Sequence, residues 1–150
     1  MIGITQYLQA VYEDLQTYVD NDVCLCKLKE LNFEAGALPD YEDINIQQLY
    51  LLRYAFAYAF EYSRMYLNVL SKMDDANSIS VTSVGCGSMI DYWALVHALE
   101  MKSKIDCNIR YVWIDEIDWN NKIPQRQNVE VHNLIGNAAD FFTNNSQFIS

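Results

Sequence analysis

A chain of 150 residues, 51% of them hydrophobic and 20% charged, can bury a sizeable core as one domain and does not have the composition of a disordered segment. Twenty acids against ten bases leave a net charge of −10, which argues against a nucleic-acid backbone as direct partner, because such binding draws on clustered Lys and Arg. No apolar run approaches the roughly 18 residues that would argue for a membrane span, and Arg53 interrupts the richest stretch, so no membrane association is expected.

The excess acid lies toward the N-terminal end: residues 1 to 43 hold nine acids and two bases, residues 44 to 78 three of each, and residues 79 to 150 eight and five. Such a surface keeps a protein in solution, or imitates DNA toward a basic partner, and the first is the plainer reading. Cys24, Cys26, Cys86 and Cys107 show no repeated CxxC spacing, and no basic-then-apolar leader opens the chain, which predicts a cytoplasmic, reduced protein. Cys24-Leu25-Cys26 lacks a complementary Cys/His pair at zinc-site spacing, so no metal is expected.

The first 20 residues predict a helix, with Thr5 placed to cap it and Tyr7, Leu8, Val11, Tyr12, Leu15, Tyr18 and Val19 recurring at intervals of three and four. Asn21-Asp22 ends it, residues 23 to 31 make a further short helix or extended turn, and Gly36 with Pro39 marks a loop. A second, long helix is predicted over 43–73, with Ile46, Leu49, Leu52, Phe56 and Phe60 on neighbouring faces. Tyr50, Tyr54, Tyr58, Tyr62 and Tyr66 form an uninterrupted i,i+4 ridge along it. The ridge is expected to be packing on one side with phenols reaching solvent, and an aromatic binding face is the alternative. Ala55, Ala57, Ala59 and Ser63 are small enough to let another helix approach, the first helix being the natural candidate.

Residues 79–116 then read as strand, glycine turn, helix and strand. Ile79, Val81, Thr82 and Val84 make a short β-branched run, and Gly85-Cys86-Gly87 is the only glycine cluster in the chain. Ile90 to Lys104 has apolar residues at helical spacing, with Asp91 in its first turn, where a carboxylate favours the helix dipole. Residues 109 to 114 form a second apolar run, ending in Asp115, Glu116 and Asp118. Trp119 to Gln127 should be mostly loop or a short helix, Gln127 to Leu134 alternates as a third strand, and Ala138 to Phe148 makes a last short helix. His97, on the apolar helix, and His132, in the third strand, have no nucleophile nearby in sequence and read as structural. A parallel strand-helix-strand unit of this kind leaves glycine amides and a helix N-terminus at the carboxyl end of its first strand, beside a carboxylate at the end of the second.

Two stretches carry a resemblance to the class I S-adenosylmethionine-dependent methyltransferases. Ser83-Val84-Gly85-Cys86-Gly87-Ser88 resembles that family's glycine-rich first motif, and Val112-Trp113-Ile114-Asp115 its second-strand motif, which ends in the acid that binds the ribose hydroxyls. A fainter likeness lies at Ile135-Gly136-Asn137-Ala138-Ala139-Asp140, with Asn137 where the family often has an acid near the adenine. The resemblance implies an α/β fold with an N-terminal helical cap over 1–75 and a partial Rossmann-like unit over 76–150. Right-handed crossovers would make that unit a parallel sheet of about three strands, covering about 79–84, 109–115 and 128–133, in the order third, second, first. The resemblance implies S-adenosylmethionine as cofactor, with Gly85, Cys86, Gly87, Asp115, Glu116 and Asn137 as binding residues. Asp115 would take the ribose diol, and Glu116 would serve if the strand is one residue out of register.

Three features depart from the family pattern. Ser83 stands where an acid is usual and Met89 where a third glycine is common, and Gly85 to Asp115 is thirty residues by subtraction, against roughly 20 in dinucleotide folds. The resemblance also implies a fourth strand on the free flank of the first, about where residues 145–150 end the sequence. The expectation is therefore a truncated or split protein, or a first strand covered by the N-terminal helices, by another copy of the chain or by a partner chain. A chain of this kind, alone, should bind cofactor weakly and transfer no methyl group, so no catalytic residue is named and the substrate, small molecule or protein, stays open. An NAD-type nucleotide-binding enzyme is a weaker alternative, because the third-glycine position of GxGxxG falls at Ile90. A non-enzymatic acidic interaction or inhibitor protein that retains the fold is another.

Overall fold

In the computed structural model, residues 3–18, 39–73 and 77–144 are described, and they form an α/β fold in which helices precede a three-stranded parallel sheet. The elements are α1 (Ile4–Tyr18), α2 (Ile44–Leu70), β1 (Ser78–Val84), α3 (Ile90–Met101), β2 (Asn108–Asp115), β3 (Val129–Ile135) and α4 (Ala138–Asn144). Expectations for Val19, Asn21 and Asp22, the 23–31 segment with Cys24 and Cys26, Gly36, and the end of the last helix beyond Asn144 lie outside the described residues.

The sheet order is β1-β2-β3, both pairs parallel, with Ile79 opposite Ile109 and Ile109 opposite Val129. Side chains alternate between the faces of a strand. Ile79, Ile109, Tyr111 and Trp113 point to one face and join a single buried cluster with α3 and with Trp119 and Ile123 of the β2–β3 connection. Both crossovers thus lie on the same side, which sequential parallel strands joined by crossovers of one hand require. The opposite face carries Thr82, Val84, Arg110, Glu130, His132 and Leu134, all exposed, around buried Val112 and Ile114.

Helix α3 is apolar nearly all round apart from Asp91, His97 and Glu100, and Ile90 through Val96, Ala98 and Leu99 are buried, Asp91 among them. A helix of that kind must be enclosed. Tyr111 of β2 meets it from the sheet, its ring 5.2 Å from that of Tyr92, and α2 packs on its other side. On α2 the buried residues include Leu51, Ala55, Ala59, Ser63, Tyr66 and Leu70, an i,i+4 and i,i+3 stripe whose small central residues, Ala55, Ala59 and Ser63, let neighbouring helices approach. Both α1 and α3 pack on α2, so the first helix is only one of its partners. Phe56 and Phe60 fall outside the stripe and are 55% and 65% exposed.

The N-terminus of α2 is held by Asp43, whose carboxylate accepts from the Asn45 amide at 2.8 Å. At α1 the helix begins one residue before Thr5, which therefore lies inside it rather than capping it; the Gly3 amide donates instead to Gln6 Oε1 at 3.2 Å. A partly buried polar network ties the β2–β3 connection to the helices. Gln47 Oε1 accepts from the Asn120 amide at 3.0 Å, Tyr7 donates to the Asn121 carbonyl, and Asp14 Oδ2 accepts from both Gln48 and Asn121.

Candidate functional site

The carboxyl end of β1 runs directly into the glycine turn. Gly85 and Gly87 both take left-handed conformations, with φ of +64° and +55°. Gly85 needs no space, since a Cβ there would meet nothing within 4 Å, so its backbone angle is what calls for glycine. At Gly87 a Cβ would also sit 3.3 Å from the Trp119 ring, which packs across the turn. Met89 is left-handed as well, with φ 70° and ψ 36°, at the N-cap of α3. The backbone there has the shape that favours a third glycine, and a buried methionine holds it.

Asp115 closes the turn from the end of β2. Its Oδ2 accepts from the Gly87 amide at 2.8 Å and its Oδ1 from the Ile117 amide at 3.0 Å. The Trp113 indole donates to the Gly87 carbonyl at 3.0 Å, and the Lys122 ammonium stands 4.4 Å from the centre of the Trp113 ring. Glu116 is exposed and accepts from the Asn137 amide group at 2.9 Å, while Asn137 Oδ1 accepts from the Ala139 amide at the start of α4.

A cavity of about 400 Å³ opens between the turn and α2, within the range of small-molecule sites. Its sheet side is Val81 to Val84 and the turn Gly85-Cys86-Gly87-Ser88, its floor includes Ile90 and Asp91 of α3, and its far wall is α2, with Tyr50, Tyr58, Tyr62 and Tyr66, together with Trp119. Helix α2 thus faces the end of β1 across the cavity, and β1 has one flank that pairs with no strand among the described residues. The tyrosine ridge forms a continuous series: ring centres are 5.1 Å apart for Tyr50 and Tyr54, and 5.9 Å apart for both Tyr54–Tyr58 and Tyr58–Tyr62. Tyr50 and Trp119 meet edge to face at 5.6 Å.

The six sequence-chosen residues all gather at the carboxyl end of the sheet, in two groups. Gly85, Cys86 and Gly87 line the cavity, whereas Asp115, Glu116 and Asn137 are not among its lining residues. Asn137 lies on a smaller hollow of about 240 Å³ beside Gly136, Asp140 and Phe141. The sequence-based choice omitted Asp91, Ser83, the tyrosines and Trp119. The uninterrupted tyrosine ridge was the signal available for the α2 wall.

Asp91 is 8% exposed. Tyr111 donates to its Oδ1 at 2.7 Å, and burial pushes its carboxyl above the usual range, although hydrogen bonds from Ser83 and Tyr111 pull the other way. A carboxylate therefore reaches this corner from α3 rather than from position 83. Burial, reinforced by the Asp91 charge, also pushes the Cys86 thiol up to about 12 and raises Tyr62 and Tyr66. Cys86 is accordingly a neutral thiol near pH 7, its sulfur directed at the Ile114 carbonyl, 3.7 Å away. His97 stacks on Trp93 and His132 pairs with Glu130, both outside the cavity lining. Among the described residues no group of three or more His, Cys, Asp or Glu is placed to hold a metal ion, and no helix is long and apolar enough to cross a membrane. Comparison of the chain with protein-family models, with curated proteins and with solved structures finds no match.

Proposed function

We propose that the chain is an S-adenosylmethionine-binding module, similar to the first half of a class I methyltransferase, with its ligand in the cavity between the glycine turn and the tyrosine ridge. The observation that carries this reading is the turn Gly85-Cys86-Gly87, which ends β1 of a parallel strand-helix-strand unit and lines a 400 Å³ cavity. Glycine there lets a ligand meet backbone where a side chain would stand, and the aromatic wall suits a stacked purine. When bound, S-adenosylmethionine would supply an electrophilic methyl group on sulfur. The protein's part would be to position it, and no side chain is assigned to catalysis.

Asp115 fits this reading only in part. Both its oxygens already accept a backbone amide, although a carboxylate has about four acceptor positions and keeps capacity for a ribose diol. That engagement, with the Trp119 ring on Gly87, favours a second reading, an acidic interaction protein whose turn is purely structural. Titration calorimetry with S-adenosylmethionine, S-adenosylhomocysteine and NAD separates the two. Heat with the first two and none with NAD is expected; a flat trace with all three would leave the interaction protein.

A further inference from the structure

The cavity holds more than the glycine turn needs. Asp91 is the one charged side chain among its lining residues, and none of those residues is Lys, Arg or His. Among the described residues no cation forms an ion pair with Asp91, whose contacts are hydroxyls and the amides of its own turn. Near it stand Tyr62, the last ring of the series that begins at Tyr50, and Tyr66, and Trp119 also lines the cavity. A carboxylate buried in low dielectric without a counter-charge is costly, and it is the kind of group that a bound cation relieves. Aromatic faces attract cations too, and they favour weakly hydrated ones with apolar substituents over compact, strongly hydrated ions. A hard metal cation, by contrast, calls for several carboxylate or carbonyl oxygens, and this corner offers a single carboxylate.

We infer that the cavity is an onium site, in which the Asp91 carboxylate and the rings of Tyr62, Tyr66 and their neighbours hold a sulfonium or methylated ammonium group of the ligand. The inference rests on the same cavity as the cofactor reading and deepens it by naming the ligand's charge, since S-adenosylmethionine carries a sulfonium and S-adenosylhomocysteine does not. Burial raises the Asp91 carboxyl, and a cation bound beside it would pull it back down.

The test uses two pairs of probes on the full chain, followed by NMR titration: choline against its neutral isostere 3,3-dimethylbutan-1-ol, and S-adenosylmethionine against S-adenosylhomocysteine. Choline should bind at least tenfold more tightly than the alcohol, and Asp91→Asn, which keeps an acceptor for Tyr111, should erase that preference. Should Asp91→Asn fail to fold, Tyr62→Leu serves instead, and it should weaken choline several-fold while leaving the alcohol little changed. Equal binding of choline and the alcohol, or no binding of choline, overturns the inference. If the two adenosyl compounds bind equally, the cofactor reading stands and the onium site falls. If choline is preferred and neither adenosyl compound binds, the onium site stands and the cofactor reading falls.

Discussion

At Asp91 a carboxylate sits at the start of α3 with 8% of its surface exposed, and the sign of its effect on stability follows from burial. Its folded-state carboxyl titrates above the ordinary value of 3.8, so the folded chain binds that proton more tightly than the unfolded chain does. The contribution to stability is complete below the unfolded value and is lost as pH rises through the folded one. Asp91→Asn has no charge to bury, and its melting temperature should therefore rise relative to the parent between pH 4 and pH 7; thermal unfolding across that range would show a widening gap. A gap that narrows would mean that Asp91 gains stability on ionising, against this account. Met89 poses a balance of two terms. Its left-handed backbone costs about 1–2 kcal/mol, but its side chain is 1% exposed, and removing a buried methionine costs about 2–5 kcal/mol. Met89→Gly should then be destabilising by roughly 1–3 kcal/mol in urea denaturation, packing outweighing strain. The Cys86 thiol, held up to about 12, should be alkylated by iodoacetamide at pH 7.5 far more slowly than a solvent-exposed cysteine, as peptide mapping would report.

Along α2 two adjacent positions test which face is enclosed. Ala59 is 3% exposed in the stripe that meets the neighbouring helices, whereas Phe60 is 65% exposed. Ala59→Leu should cost about 1–3 kcal/mol through overpacking, while Phe60→Ser should stay within about 0.5 kcal/mol, reversing what hydrophobicity alone would suggest. Both are read from the midpoint of chemical denaturation. The contrast arises because the helix packs through small residues, which let backbones approach, so its largest apolar side chains are left outside.

For the molecule as a whole, β1 is an edge strand among the described residues, and Val84 on it is 51% exposed. Unpaired strand edges recruit other strands, while a net charge of −10 opposes association. Sedimentation should find self-association that strengthens with added salt, as screening removes the repulsion, and Val84→Lys should weaken it. A monomer at every concentration and salt would mean that α2 and its tyrosines shield the edge sufficiently on their own.

Strand positions and the glycine turn were legible in the sequence because their causes are local. A β-branched run followed by Gly85-Cys86-Gly87 and an apolar helix gives the unit, and the predicted strands at 79–84 and 109–115 fall within one residue of β1 and β2. The third, at 128–133, begins one residue before β3 and ends two before it. The parallel order followed from the handedness of crossovers. What surrounds the turn was not legible in that way. Asp91 reads by position as a carboxylate serving a helix dipole, and only the packing of α2, α3 and β2 around it makes it a buried charge beside a cavity. The tyrosine ridge reads first as packing and only alternatively as a binding face until the flank it faces is known, since the i,i+4 spacing records a ridge and not its partner. Asp115 was legible as a carboxylate at the end of β2, yet the closeness of the Gly87 and Ile117 amides decided what its oxygens do. Local periodicity and steric preference determine elements from sequence alone; burial, and the electrostatics that depend on it, belongs to contacts between residues distant in the chain.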